Sequence, residues 1–172
     1  RFARPPTGEL RFSESVLLDE PGSSWVPGAD AFGPACLQKS RPGNLTTSED
    51  CLFLNIWADS KCTRAEPCPV LFWIHGGSDE TGSGAQYNGS ALAAVTGRLV
   101  VVTVNYRLGP LGFLPVPLGG GEATLGLNGV LDNVCALRWV QRHIGAYSGD
   151  ASAVTIAGES AGSVAVYLLS VS

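Results

Sequence analysis

The residues best placed to do chemistry are Gly158-Glu159-Ser160-Ala161-Gly162. A serine between two such glycines can be a nucleophile for acyl transfer if a sharp strand-to-helix turn holds it. Its hydroxyl then projects beyond the strand end, and the glycines leave space where a Cβ would meet neighbouring backbone. A helix starting directly behind the serine would aim free N–H groups, and the positive end of its dipole, at the charge that develops during attack. An ordinary Gly-Ser turn with a serine N-cap is the competing reading. The setting separates the two: Ala153-Val154-Thr155-Ile156-Ala157 reads as a buried strand, and Ala161 to about Leu169 as an apolar helix.

A second element, His75-Gly76-Gly77-Ser78, follows the apolar run Val70–Ile74. A glycine-rich loop at a strand end can turn backbone N–H groups inward as an oxyanion hole, with the N–H of Ala161 as partner. His75 precedes that loop and reads as structural, fixing it by hydrogen bonds. His143, near the end of a helical pattern, reads as solvated or capping. A serine nucleophile also needs a base and an orienting carboxylate. Ala161 to Ser172 contain neither histidine nor acid. These residues are therefore expected to be inactive alone, and Arg1 rather than Met opens the sequence.

The elements that must position these groups follow from the remaining pattern. Among 172 residues, 45% are hydrophobic and 15% charged, which describes a folded chain. The net charge of -4, without a basic cluster, argues against a nucleic-acid surface. No run approaches the roughly 18 to 20 apolar residues that a membrane-spanning helix requires. Asp50 to Trp57 reads as a strand, as do Val70–Ile74 and Leu99–Val102, the last extended to Tyr106; a helix over about Ser90–Val95 should stop at Gly97. Val130, Val134, Leu137, Val140 or Gln141, and Ile144 recur at three or four residues, predicting a helix capped by Asn128. Leu10-Arg11-Phe12 reads as a short extended piece. Trp25 and Phe32 are expected to anchor a Gly/Pro-rich surface stretch, and residues 109 to 126 to be loop-rich. Alternation of strands and helices implies an α/β sandwich with an at least partly parallel sheet.

Five cysteines are present, four of them in the first half. Cys62 and Cys68 bracket a short polar loop that a disulfide could close. Asn44-Leu45-Thr46 and Asn88-Gly89-Ser90 are sequons, and together with the cysteines they point to a secreted, extracellular or lumenal compartment. The cysteine spacing does not form a paired metal-binding array.

Laid side by side, Ser48 to Trp57, Trp73-Ile74-His75-Gly76-Gly77, Val102 to Gly109, Leu111-Gly112-Phe113, Ala136 to Gln141 and Val154 to Gly162 resemble, in order, the type-B carboxylesterase and cholinesterase-like family. The resemblance implies an α/β-hydrolase fold, with a mostly parallel central sheet and helices on both faces, of which residues 1–172 would be the amino-terminal part of a single domain, truncated at both ends and so incomplete. It implies a serine carboxylic ester hydrolase acting through an acyl-enzyme on a small-molecule ester, with no metal or organic cofactor. Carried over by position, Ser160 matches the nucleophile, Gly77, Ser78 and Ala161 the oxyanion donors, and Cys36 with Cys51 the first disulfide. Cys62 and Cys68 have no general counterpart. Ser78 stands where the family has glycine and Asp79 where it has an aromatic residue. A Cβ at Ser78 could shift the loop, and the Asp79 charge opposes a second negative charge nearby. The fold also serves relatives that act as non-catalytic adhesion modules with protein partners; Ser160 within an intact turn favours the enzyme. The loop Leu37–Asp50 lacks aromatic residues, so no cation–π platform for choline esters is expected there.

Overall fold

The computed structural model describes residues 1–18, 31–40, 43–119 and 122–171. A two-residue parallel pair, β1 (Ala35–Cys36) and β2 (Thr47–Ser48), precedes the central elements. These are β3 (Leu54–Ala58), β4 (Cys68–Ile74), α1 (Ser90–Thr96) and β5 (Val100–Val104). A short α2 (Gly109–Phe113), an antiparallel pair of β6 (Pro117–Gly119) and β7 (Glu122–Ala123), α3 (Asn128–His143), β8 (Gly149–Gly158) and α4 (Ala161–Ser170) complete the order.

The central sheet runs β3–β5–β4–β8; β3 is antiparallel to β5, and the other two pairings are parallel. Side chains on alternate positions explain why both faces are covered. Val70, Phe72, Ile74, Val100, Val102 and Val104 join one core with Ala136, Trp139 and Val140 of α3 and Ala165 of α4. On the opposite face Trp73 packs on Tyr87, Trp57 on Phe32, and Gly89, just before α1, lies against Val101 and Trp57. Each fully buried core side chain of this kind contributes about 1.5–3 kcal/mol. Helices therefore flank an α/β sheet on both sides, as the sequence implied.

Register decides where chemistry can occur. Ile74 of β4 pairs with Val104 of β5 and with Gly158 of β8, so three parallel strands end level. From β4 the chain crosses to β5 on one side, then returns to β8 on the other. The strand order reverses at β4, and a crevice opens outside the carboxyl ends of the strands at such a point. The loops leaving β4 and β8 flank it.

One buried ion pair ties the amino-terminal segment to this frame. Arg107 (2% exposed) and Asp132 (0%) meet through two 2.8 Å bonds, while Arg107 Nη1 donates to the carbonyls of Arg11 and Ser13. Disulfides join Cys36 to Cys51 and Cys62 to Cys68, and Cys135 is a buried free thiol. Among the described residues no helix is long and apolar enough to cross a membrane.

Several expectations need correction. Asn128 does not cap α3: it is the first helical residue, behind Leu127, and its amide donates to Phe12 O. Leu10-Arg11-Phe12 is not extended, because a 3-10 turn over Gly8–Leu10 directs Arg11 onto Glu49 at 2.6 Å. The strand expected from Asp50 begins only at Leu54, since a tight turn brings Phe53 N to Cys51 O. The loop-rich stretch from 109 to 126 also holds α2 and the β6–β7 pair. His143 is half-buried rather than freely solvated; its ring lies 5.0 Å from that of Trp139, with Nε2 buried. Phe32 anchors on Trp57 at 6.3 Å but stays largely exposed, and Trp25 falls outside the described residues.

Candidate active site

Ser160 sits between β8 and α4 with φ 53° and ψ -121°. That conformation is rare for a residue with a Cβ, and it stores strain of about 1–3 kcal/mol that the surroundings must hold in place. The holding contacts are visible. A Cβ at Gly158 would come within 2.5 Å of the Gly162 backbone, and one at Gly162 within 2.2 Å of Ile74 O. Strand end, elbow and helix start are thus pressed together in a space that only glycine allows. Gly162 N donates to Glu159 O, while Ser163 N and Val164 N donate to Ser160 O. Those bonds leave the Ala161 N–H as the first-turn donor that the turn does not consume. Ser160 itself is exposed.

The loop after β4 reaches the same place. A Cβ on Gly76 would fall 2.6 Å from Glu159 O and 2.9 Å from Ser160 Cβ. The two motifs, more than eighty residues apart in sequence, are therefore in van der Waals contact. Gly77 O accepts from Glu80 N, Thr81 N and Thr81 Oγ1, closing a tight loop whose Gly77 has φ 112°. Ser78 and Asp79 follow at φ 57° and 58°, two consecutive left-handed residues with side chains. Ser78 therefore adopts the angles glycine would supply. Asp79 O accepts from Gly109 N at 2.6 Å, fixing the far side of the loop to α2.

Electrostatics at the loop base favour neutral groups. His75 is 1% exposed, its ring stacks on Tyr106 at 4.5 Å, and its Nδ1 lies 2.8 Å from Gly76 O. Burial, only partly opposed by that bond, lowers its pKa to about 4. It is a neutral structural histidine, and its Nε2 has no partner among the described residues. Tyr106 Oη donates to His75 O at 2.8 Å. Burial raises the Tyr106 pKa, and the adjacent Asp79 charge adds to the effect. Burial also raises the pKa of the Asp79 carboxyl.

The structure thus sets Gly76 against Glu159 and Ser160, with Gly77 and Ser78 next in the same loop and Ala161 opening α4 behind the serine. Asn44 and Asn88 are exposed on loops elsewhere. Sequence reasoning missed the side chains that hold the crevice from behind. Asn105 Oδ1 accepts from Ser83 Oγ and Gly84 N, and its Nδ2 donates to the carbonyls of Pro34 and Cys51. Gln38 bonds Gly82 in both directions. An amide following a run of valines was the only signal for Asn105. No group of three or more potential metal ligands occurs among the described residues.

Comparison with known proteins places this geometry. Residues 1–172 match the group described as Carboxylesterase family. The chain is 41% identical to a cocaine esterase of Oryctolagus cuniculus, over 96% of this chain and 32% of that protein. It is 42% identical to the para-nitrobenzyl esterase of Bacillus subtilis, over 98% of this chain and 35% of that one. A crystal structure of a Geobacillus stearothermophilus carboxylesterase superposes with a TM-score of 0.82 at 43% identity, over 98% of this chain and 35% of that one. The chain spans about a third of the length of the curated relatives it matches.

Proposed function

This chain belongs to the carboxylesterase family, and from that premise we propose that it carries the nucleophile and oxyanion donors of a serine carboxylic ester hydrolase. Ser160 Oγ attacks the ester carbonyl; the backbone N–H groups of Gly77, Ser78 and Ala161 stabilise the oxyanion; the alcohol leaves, and water then releases the acid from the acyl-enzyme. The observation that carries the reading is the contact between Gly76 and Ser160, which sets the donor loop against the strained serine. Ala161 to Ser172 contain no histidine or acid, so in this reading the base and its carboxylate come from polypeptide outside residues 1–172 of one larger domain. The substrate is a small neutral carboxylic ester without choline preference, since the Cys36–Cys51 loop offers no aromatic platform.

Two disulfides support an oxidising compartment, secreted or lumenal, and the exposed Asn44 and Asn88 are the proposed glycan acceptors. The competing reading, an adhesion module without turnover, draws on the Asp79 carboxylate beside the donor loop.

One experiment separates them. A fluorophosphonate probe is applied to the full-length protein, to its Ser160→Ala variant and to residues 1–172 alone. The full-length protein should be labelled, the variant should not, and the isolated chain should show no ester turnover. Labelling that survives Ser160→Ala refutes the nucleophile assignment. An unlabelled full-length protein favours the adhesion reading.

A further inference from the structure

Gln38 lies in the loop closed by the Cys36–Cys51 disulfide, outside the motifs that carry the chemistry. Its side-chain amide treats Gly82 as a β-strand neighbour would. Gly82 N donates to Gln38 Oε1 at 2.9 Å, and Gln38 Nε2 donates to Gly82 O at 2.9 Å. The same Nε2 also donates to Cys36 O at 3.0 Å, beside the disulfide. Three bonds from one half-buried amide thus join two segments 44 residues apart.

Gly82 ends the donor loop and is packed onto its base. At φ 117°, a Cβ there would lie 2.4 Å from His75 Nδ1 and 2.7 Å from Gly76 O. Gly82 therefore packs closely against Gly76, which itself packs against Glu159 and Ser160. The loop between Gly77 and Gly82 contains two strained left-handed residues, Ser78 and Asp79, and such conformations persist only where surrounding contacts over-determine them.

We infer that Gln38 is a positioning residue for ester hydrolysis, transmitting the fixed position of the Cys36–Cys51 disulfide through Gly82 to the Gly77 and Ser78 donors. This rests on the reading of those donors given above. The amide touches no substrate; it sets where the N–H groups stand when the oxyanion forms. Donor placement acts on the transition state more than on the bound ester, so its loss should fall on kcat rather than KM.

The test uses the full-length protein with Gln38→Met, which fills similar space without donating or accepting, and Gln38→Glu, which keeps shape but turns a carboxylate toward two carbonyls. Leu37→Ala, an exposed neighbour in the same loop, is the control. Both Gln38 variants should lose about tenfold in kcat, with KM within about twofold and fluorophosphonate labelling slowed in parallel. Circular dichroism and thiol titration should show each variant folded with both disulfides intact. A kcat within about twofold of the parent in a folded variant overturns the inference, and so does a loss confined to KM. Should Gln38→Met not fold, Gln38→Glu decides by the same criteria. Ser160→Ala runs alongside. If it is still labelled, the nucleophile reading fails; if it is silent while the Gln38 variants match the parent, only the positioning role fails.

Discussion

Gly76→Ala is the smallest change that tests whether the two halves of the crevice must touch. The added methyl brings no charge, and Gly76 does not lie in the left-handed region, so backbone strain is not the issue. The problem is space. The new Cβ would stand 2.5 Å from Glu159 Oε2, 2.6 Å from Glu159 O and 2.9 Å from Ser160 Cβ. The carboxylate can swing away, but the carbonyl and the serine Cβ belong to the elbow. Ordinary contact begins at 3.4 Å, so the donor loop and the elbow must separate by about 0.8 Å, the difference from 2.6 Å. A misplacement near 1 Å can cost about 100-fold in rate, which is about 2.7 kcal/mol of transition-state stabilisation. Overpacking should also lower folding stability by about 1–3 kcal/mol. The assay is steady-state hydrolysis of a chromogenic neutral ester by the full-length protein, with burst amplitudes counting acylated sites. Gly145→Ala is the control, because nothing lies within 4 Å of its Cβ position. We expect kcat to fall about 100-fold for Gly76→Ala and to stay near the parent for Gly145→Ala. A folded Gly76→Ala protein with kcat within about threefold of the parent would refute the claim that contact between loop and elbow sets donor geometry.

Three further outcomes are expected. His75 is buried and neutral with a pKa of about 4 against 6.5 unfolded, so the unfolded state binds more protons between those values; stability should be full above pH 6.5 and fall by about 3 kcal/mol as pH drops to 4, a slope in urea titrations that His75→Gln should flatten. Asp132→Ala leaves the Arg107 guanidinium buried without its carboxylate, which should cost about 3–5 kcal/mol in chemical denaturation, whereas a loss under about 1 kcal/mol would show that the Arg11 and Ser13 carbonyls suffice. Replacing Cys62 and Cys68 together by serine opens a loop of sequence separation 6; it should lower stability by about 2 kcal/mol and leave kcat unchanged, and a matching fall in kcat would contradict the separation of that loop from the crevice.

What the sequence made legible were features whose cause is local. The elbow could be read because an apolar strand, a glycine-spaced serine and an apolar helix are contiguous, and β5 because an uninterrupted β-branched run suits a strand covered on both faces. The left-handed angles at Ser78 were anticipated only as a risk; they became visible once the bonds to Gly77 O and from Gly109 N closed the loop. Gln38 and Asn105 were illegible because an amide declares nothing until its partners, 44 and 71 residues away, arrive beside it. Asn128 misled for a related reason: an asparagine at a helix start usually caps, but here Phe12 O offered the amide a distant acceptor.

The seven residues of β4 join two different tasks. At one end Cys68 closes a disulfide; at the other Ile74 hands the chain to the donor loop. An extended strand of this length separates those ends by about 20 Å, beyond the roughly 7–10 Å within which substitutions usually couple. Protein engineers would then have two independent handles on one strand. Changes around residues 61 to 68 should tune heat tolerance, changes around 75 to 82 should tune turnover, and a combined library should behave as the sum of its halves.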